Sequence, residues 1–324
     1  MPASPEPLTE RILPRAGLRR WLAIVGWCLI PFVRLVAVAL LLAASGVTED
    51  AFTWAAGRTT GALLNVYLIA VTLVGLPPVV AKLIAIGKLG GASTERVARW
   101  RGAVVPTTVI ALLLTVLTES SIVEFGVATA LSSPLPFVVS FAGNFLMRVP
   151  QAGAFWLSVV ALLTVAALGR QPVPGRFPED RSLGLKGVGQ LVTTILFYYI
   201  VLLTPSVLIG TSRFQDFVAV LSLFALGLIA LVVAVWTVHS RMAAERMRAV
   251  AEARAAYAKA YREAANHTDE DTARQLRVGR MLLDGAESIH EWPFDDRAQR
   301  VLGLLLSGVI TGVVVRLAVF VLGI

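Results

Sequence analysis

The sequence predicts an all-α fold: a polytopic helical membrane protein of about seven transmembrane helices, with a cytoplasmic helical hairpin between the sixth and seventh. Three observations carry that expectation. Seven apolar runs punctuate the chain, and about 20 apolar residues are what one helix needs to span the hydrocarbon of a bilayer. Arginine and lysine gather in every second connection between the runs, which is the asymmetry that sets the direction of each crossing. Hydrophobic residues make up 56% of the chain and charged residues only 15%, against roughly 25% charged in a soluble domain.

The first run, residues 21–45, comes after a basic cytoplasmic segment, 1–20, that carries Arg11, Arg15, Arg19 and Arg20. It is long for a cleaved leader and contains Arg34, so it reads as a retained anchor. The second run, 61–86, holds Asn65 and Pro77-Pro78 and is followed by Lys88, Arg96, Arg99 and Arg101. The third, 103–117, is short and continues to 131 only if Glu119-Ser120-Ser121 is carried along. The fourth, 134–168, contains Arg148-Val149-Pro150 and is followed by Arg170, Arg176, Arg181 and Lys186. The fifth, 188–209, contains Pro205; the sixth is 217–238 and the seventh 301–323. Eleven more basic residues lie in 239–300, so 23 of the 29 fall on one side. The opposite connections hold Glu49, Asp50, Glu119, Glu124 and Asp216 against Arg58, Arg148 and Arg213. The expected topology is a multi-pass protein of the cell membrane, N-terminus cytoplasmic and C-terminus extracytoplasmic.

Residues 21–238 thus form a transmembrane bundle of about six crossings, 239–291 the cytoplasmic hairpin, and 292–324 an interfacial junction with the last helix. From His239 the chain is rich in alanine, arginine and glutamate, strong helix formers, with no glycine or proline before Gly279. The sixth crossing therefore continues out of the membrane to about Ala265. Asn266-His267-Thr268 breaks it, and Thr268 with Asp271 has the spacing of an N-terminal cap for a returning helix, about 269–289. A weak stripe of Met247, Val250, Tyr257 and Tyr261 faces one of Val278, Leu282, Ala286 and Ile289, so the arms can pack in coiled-coil fashion. Tyr257 and Tyr261 are the candidate docking residues for a cytoplasmic protein partner or for other copies of the chain. Glu291-Trp292-Pro293-Phe294-Asp295-Asp296 then returns to the bilayer, with Trp292 and Phe294 suited to the interfacial belt and Asp295 or Asp296 to a helix cap.

Charges at membrane depth are the candidate functional residues: Arg34, Glu119, Glu124, Arg148 and Arg316. Each needs a partner or a water-filled cavity, because an intramembrane charge costs about 2.5–3.5 kcal/mol on insertion scales. Arg34, Glu119 and Arg316 lie 13, 16 and 15 residues into their runs, about 20–24 Å from the cytoplasmic face at 1.5 Å per residue. Two arginines and a glutamate at one depth form either a buried ion pair or the lining of a vestibule; snorkelling to headgroups is the plainer reading. Lys82, a turn from the cytoplasmic end, reads as snorkelling. The pattern is irregular over 103–168, and within it 119–150 is either an external helical cap or a broken-helix region of the kind that builds transporter sites.

Other functions have no residues to support them. The single cysteine, Cys28, allows neither an intrachain disulfide nor a cysteine metal site, and His239, His267 and His290 lack second ligands at metal spacing. Phosphate-loop, G-x-S-x-G and H-E-x-x-H patterns are missing, so nothing nominates an enzyme's nucleophile, and no cofactor is expected. The net charge of +8 suits loops held against an anionic cytoplasmic leaflet. Glu245, Glu252 and Glu263 interrupt the basic arm, so nucleic acid is not an expected partner. The functional expectation is a transporter or channel for a small solute or ion. The alternative is a signalling, scaffold or assembly protein whose hairpin docks a partner.

Overall fold

In a computed structural model the described residues are 17–48, 50–119, 125–172, 182–208, 214–266, 270–294 and 296–322. Every regular element among them is helical. Helix α1 spans Leu18–Ala44, the short α2 Ala51–Ala56, α3 Thr59–Leu89 and α4 Gly91–Arg99, followed by a 3-10 turn, Trp100–Gly102. Helix α5 is Val104–Thr118, α6 Val127–Ser132, α7 Pro134–Leu168, α8 Lys186–Leu208, α9 Phe214–Asn266, α10 Glu270–Glu287 and α11 Asp296–Leu322. Among the described residues, five helices are long and apolar enough to cross a membrane, and a sixth span arises if α4, the turn and α5 act together across their 46° bend. The apolar stretch Lys186–Leu202 of α8 is shorter than these.

Local chemistry sets the breaks. Ala103 is extended (ψ 118°) ahead of α5, and Pro106 falls in that helix's first turn, where a missing N–H costs nothing. Ser133 leaves the helical region (φ −135°, ψ 73°), and Pro134 opens α7 at the position that suits its fixed φ. From there α7 runs unbroken for 35 residues through Pro150. The fourth apolar run is thus one helix throughout, and the breaks in this region lie before α7, between α4 and α7.

Helix α7 is the axis of the bundle and packs against α1, α3, α4, α5 and α9. Toward its C-terminal end it joins the main core, where Val160 and Val165 meet Leu83 and Ile86 of α3, Val188 and Leu191 of α8, and Val235 and Val238 of α9. Toward its N-terminal end the packing divides into smaller clusters around Ile69, Leu73 and Met147 and around Val38, Leu42 and Ala51. Lys82 is held inside this framework, donating to Thr194 Oγ1 (2.5 Å) and to the Gln190 carbonyl (3.3 Å) of α8. A neighbouring helix thus anchors its ammonium group.

At 53 residues, α9 is about 80 Å long at 1.5 Å per residue, far more than the ~30 Å of hydrocarbon. Its polar half therefore stands outside the apolar layer, and α10 packs back along it. Arg254 meets Glu287 at 3.1 Å, Arg246 pairs with Glu291, and Arg246 Nη2 donates to the Glu287 carbonyl. The seam matches the predicted stripe only in part: Ala286 and Ile289 are buried, whereas Val278 and Leu282 are exposed, and the other buried positions along the arms are small residues, Ala253 and Ala260 on α9 and Gly279 on α10. Tyr257 lies over Gly279, whereas Met247 and Tyr261 face outward. The predicted cap at Thr268 lies outside the described residues.

After α10 the chain is pinned at the bundle edge. Trp292 stacks on His239 (ring centroids 3.9 Å, 14° between planes) and meets Trp236 edge-on, while His239 Nδ1 lies 2.8 Å from the Glu291 carbonyl. Gly189 of α8 sits against the Pro293 carbonyl so closely that no side chain fits there. Helix α11 then packs against α8.

Candidate functional site

The N-terminal half of α7 carries a polar stripe in an apolar helix. Ser140, Asn144 and Arg148 recur every four residues and so share one face. Opposite stand Arg34, midway along α1, and Thr118 and Glu119 at the end of α5. Glu119 is placed by the end of its helix: its backbone turns extended (φ −80°, ψ 105°), and its carboxylate swings into the angle between α1 and α7.

Three side chains converge on that carboxylate. Arg34 Nη2 lies 3.4 Å from both oxygens, Ser140 Oγ donates to Oε1 at 3.0 Å, and Asn144 Nδ2 donates to Oε2 at 3.4 Å. Arg34 is also tied to α7 directly, donating from Nη2 to Ser140 Oγ (2.7 Å) and from Nε to the Ser140 carbonyl (3.0 Å). The Glu119 side chain is 4% exposed and that of Arg34 22%, and Ser140 and Asn144 are buried. Gly143 makes the arrangement possible. A methyl group there would lie 2.9 Å from the Cγ and Cδ of Arg34, so the guanidinium reaches Ser140 only because α7 has no side chain at that point.

One turn deeper the network continues with neutral partners. Arg148 Nε donates to Thr118 Oγ1 (3.2 Å), which also accepts from Asn144 (3.2 Å), and Arg148 Nη1 donates to Gln151 Oε1 (2.7 Å). Arg148 lies within electrostatic range of both Arg34 and Glu119. On the other flank, Phe137, one turn before Ser140, is buried and meets Phe125 edge-on (6.2 Å), and Phe125 meets Trp54 (6.1 Å). Arg58 stacks over Trp54, its guanidinium carbon 4.3 Å from the ring centroid. An aromatic layer thus covers the end of the cluster nearest α2.

Of the five charges singled out from sequence, the fold brings Arg34, Glu119 and Arg148 into one cluster. Arg316 stands on α11, which packs against α8, and Glu124 lies outside the described residues. The neutral members, Thr118, Ser140, Asn144, Gln151 and Gly143, carried no sequence flag. The four-residue spacing of Ser140, Asn144 and Arg148 inside an apolar run is the signal that finds them. Among the described residues, no group of three or more His, Cys, Asp or Glu side chains is placed to hold a metal ion. No family description, curated protein or solved structure matches the chain.

Proposed function

We propose that this protein is a transporter or channel for a small solute or ion, and that the Arg34–Glu119–Arg148 cluster lies on its pathway. One observation supports this above the others. A charged, hydrogen-bonded network on three helices sits where α5 stops after only 15 residues, about 22 Å of rise and so short of the ~30 Å of hydrocarbon. Broken or short helices ending on polar groups inside a bundle are how transporters expose backbone and charge to a substrate. In this reading the conformation described is closed. The Trp54–Phe125–Phe137 layer is its outer gate, and opening moves those rings off Ser140 and Glu119. The chain crosses the cell membrane seven times, N-terminus inside and C-terminus outside, with the α9–α10 hairpin in the cytoplasm beside the anionic leaflet.

The test is flux. Full-length protein in proteoliposomes is given potassium chloride, potassium phosphate, potassium acetate or glycerol in turn, and swelling is followed by light scattering. At least one solute is expected to enter faster than in protein-free vesicles, with the gain lost in Glu119→Gln and Arg34→Ala. Rates unchanged by both substitutions, or equal to those of empty vesicles for all four solutes, contradict the proposal.

A second reading, a scaffold that docks a partner through the hairpin, draws on Met247, Tyr261 and Met281, large apolar side chains that stand exposed on the arms. It predicts self-association or partner binding that Tyr257→Glu with Tyr261→Glu removes, read as a change in particle mass by light scattering.

A further inference from the structure

We infer that the cluster binds an oxyanion, the carboxylate or phosphate group of a small solute or of a lipid headgroup, between Arg148 and Gln151. Passage of a bound solute across the membrane rests on the transport reading, but binding itself is testable alone. Charge is the first ground. Arg34, Glu119 and Arg148 carry two positive charges against one negative, and the carboxylate is already engaged by Arg34, Ser140 and Asn144. The hydrogen-bond partners of Arg148, by contrast, are a hydroxyl and an amide oxygen. A guanidinium inside a helical bundle with only neutral partners is an attractor for an anion.

Gln151 supplies the second, independent ground. Its Oε1 accepts from Arg148 at 2.7 Å, which fixes the amide, because the flipped orientation would set two donors face to face. Its Nε2 is buried and has no acceptor among the described residues. Buried donors are rarely left unmade. A ligand oxygen would satisfy the amide N–H while its charge answered the guanidinium, and an oxyanion presents the two acceptors this needs. Chloride offers no such directional pair, so the site is expected to prefer oxyanions.

The experiment uses the full chain in nanodiscs, with unfolding followed by tryptophan fluorescence. In phosphatidylcholine discs, sodium phosphate is titrated against sodium chloride at matched ionic strength; a second arm adds phosphatidylglycerol to the discs and omits phosphate. The variants are Arg148→Gln, which removes the charge, and Gln151→Glu, which builds an internal carboxylate beside Arg148. Gln151→Glu is expected to fold at least as well as the parent, so loss of response there is not loss of structure. A midpoint that rises with phosphate but not chloride assigns a free oxyanion. A rise only with phosphatidylglycerol assigns a headgroup. In either case the response is expected to vanish in both variants. No response in either arm, or one that persists in both variants, overturns the inference. Binding without vesicle flux would sink the transport reading and leave this site standing; flux with no phosphate or phosphatidylglycerol response would do the reverse.

Discussion

Glu119 accepts hydrogen bonds from two helices and forms the ion pair with Arg34, so neutralising it strands a largely buried guanidinium. Breaking a buried pair costs about 3–5 kcal/mol, and the residual exposure of Arg34 brings the expected loss for Glu119→Gln to about 2–3 kcal/mol. Replacing both partners, as Arg34→Met with Glu119→Leu, is expected to recover most of that stability while abolishing function. Denaturation in detergent of the two singles and the double decides it: additive losses would mean that the pair is not coupled. Arg34 and Glu119 could be read from sequence because a charge in an apolar run stands out. Ser140 and Asn144 could not. Thr107, Thr115, Ser158 and Thr164 are equally polar residues in apolar helices, yet each bonds its own helix four residues back. Only the register of α7 against α1 separates Ser140 from these, and register between helices is a tertiary property.

At the scale of the element, apolar length and charge made the long helices legible, but not how they pack. Hydrophobic periodicity gives weight to large side chains, so Met247 and Tyr261 drew attention on the outgoing arm. Ala286 and Ile289 of the predicted stripe are buried, but the seam is completed by Ala253, Ala260 and Gly279, small residues of a kind that an alanine-rich helix offers on several faces at once. The consequence is an ordering of mutations that the sequence alone would reverse. Ala260→Leu is expected to wedge α9 from α10 and cost about 1–3 kcal/mol by overpacking. Tyr261→Ala, at an exposed site, is expected to stay within about 0.5 kcal/mol. Protease susceptibility of the α9–α10 arm in the membrane-bound protein measures both; equal susceptibility of the two variants would contradict the seam. The break before α7 was partly legible: Pro134 and the short third run signalled it, while Pro150 is carried inside a continuous α7.

For the whole molecule, five to six candidate spans meet a charge pattern that asks for an odd number of crossings, seven, with opposite termini. Helix α11 is peripheral, packed against α8 and otherwise exposing apolar residues such as Leu304, Ile310 and Val314 as a lipid-facing helix does. A C-terminal phosphatase fusion is therefore expected to be active and a fluorescent-protein fusion dark; the reverse pattern would require an even number of crossings. If the cluster lies on a pathway, water reaches the polar face of α7, and cysteine labelling in intact membranes tests that most directly. On a Cys28→Ser background, single cysteines replace Ser140, Asn144 and Arg148, with Val138→Cys, at an exposed apolar position of the same helix, as the control. A membrane-impermeant thiol reagent added outside is expected to label 140, 144 and 148 but not 138, and faster when Phe137→Ala opens the aromatic layer. If all four positions are inert, with or without Phe137, the cluster is a sealed structural ion pair and the pathway does not exist.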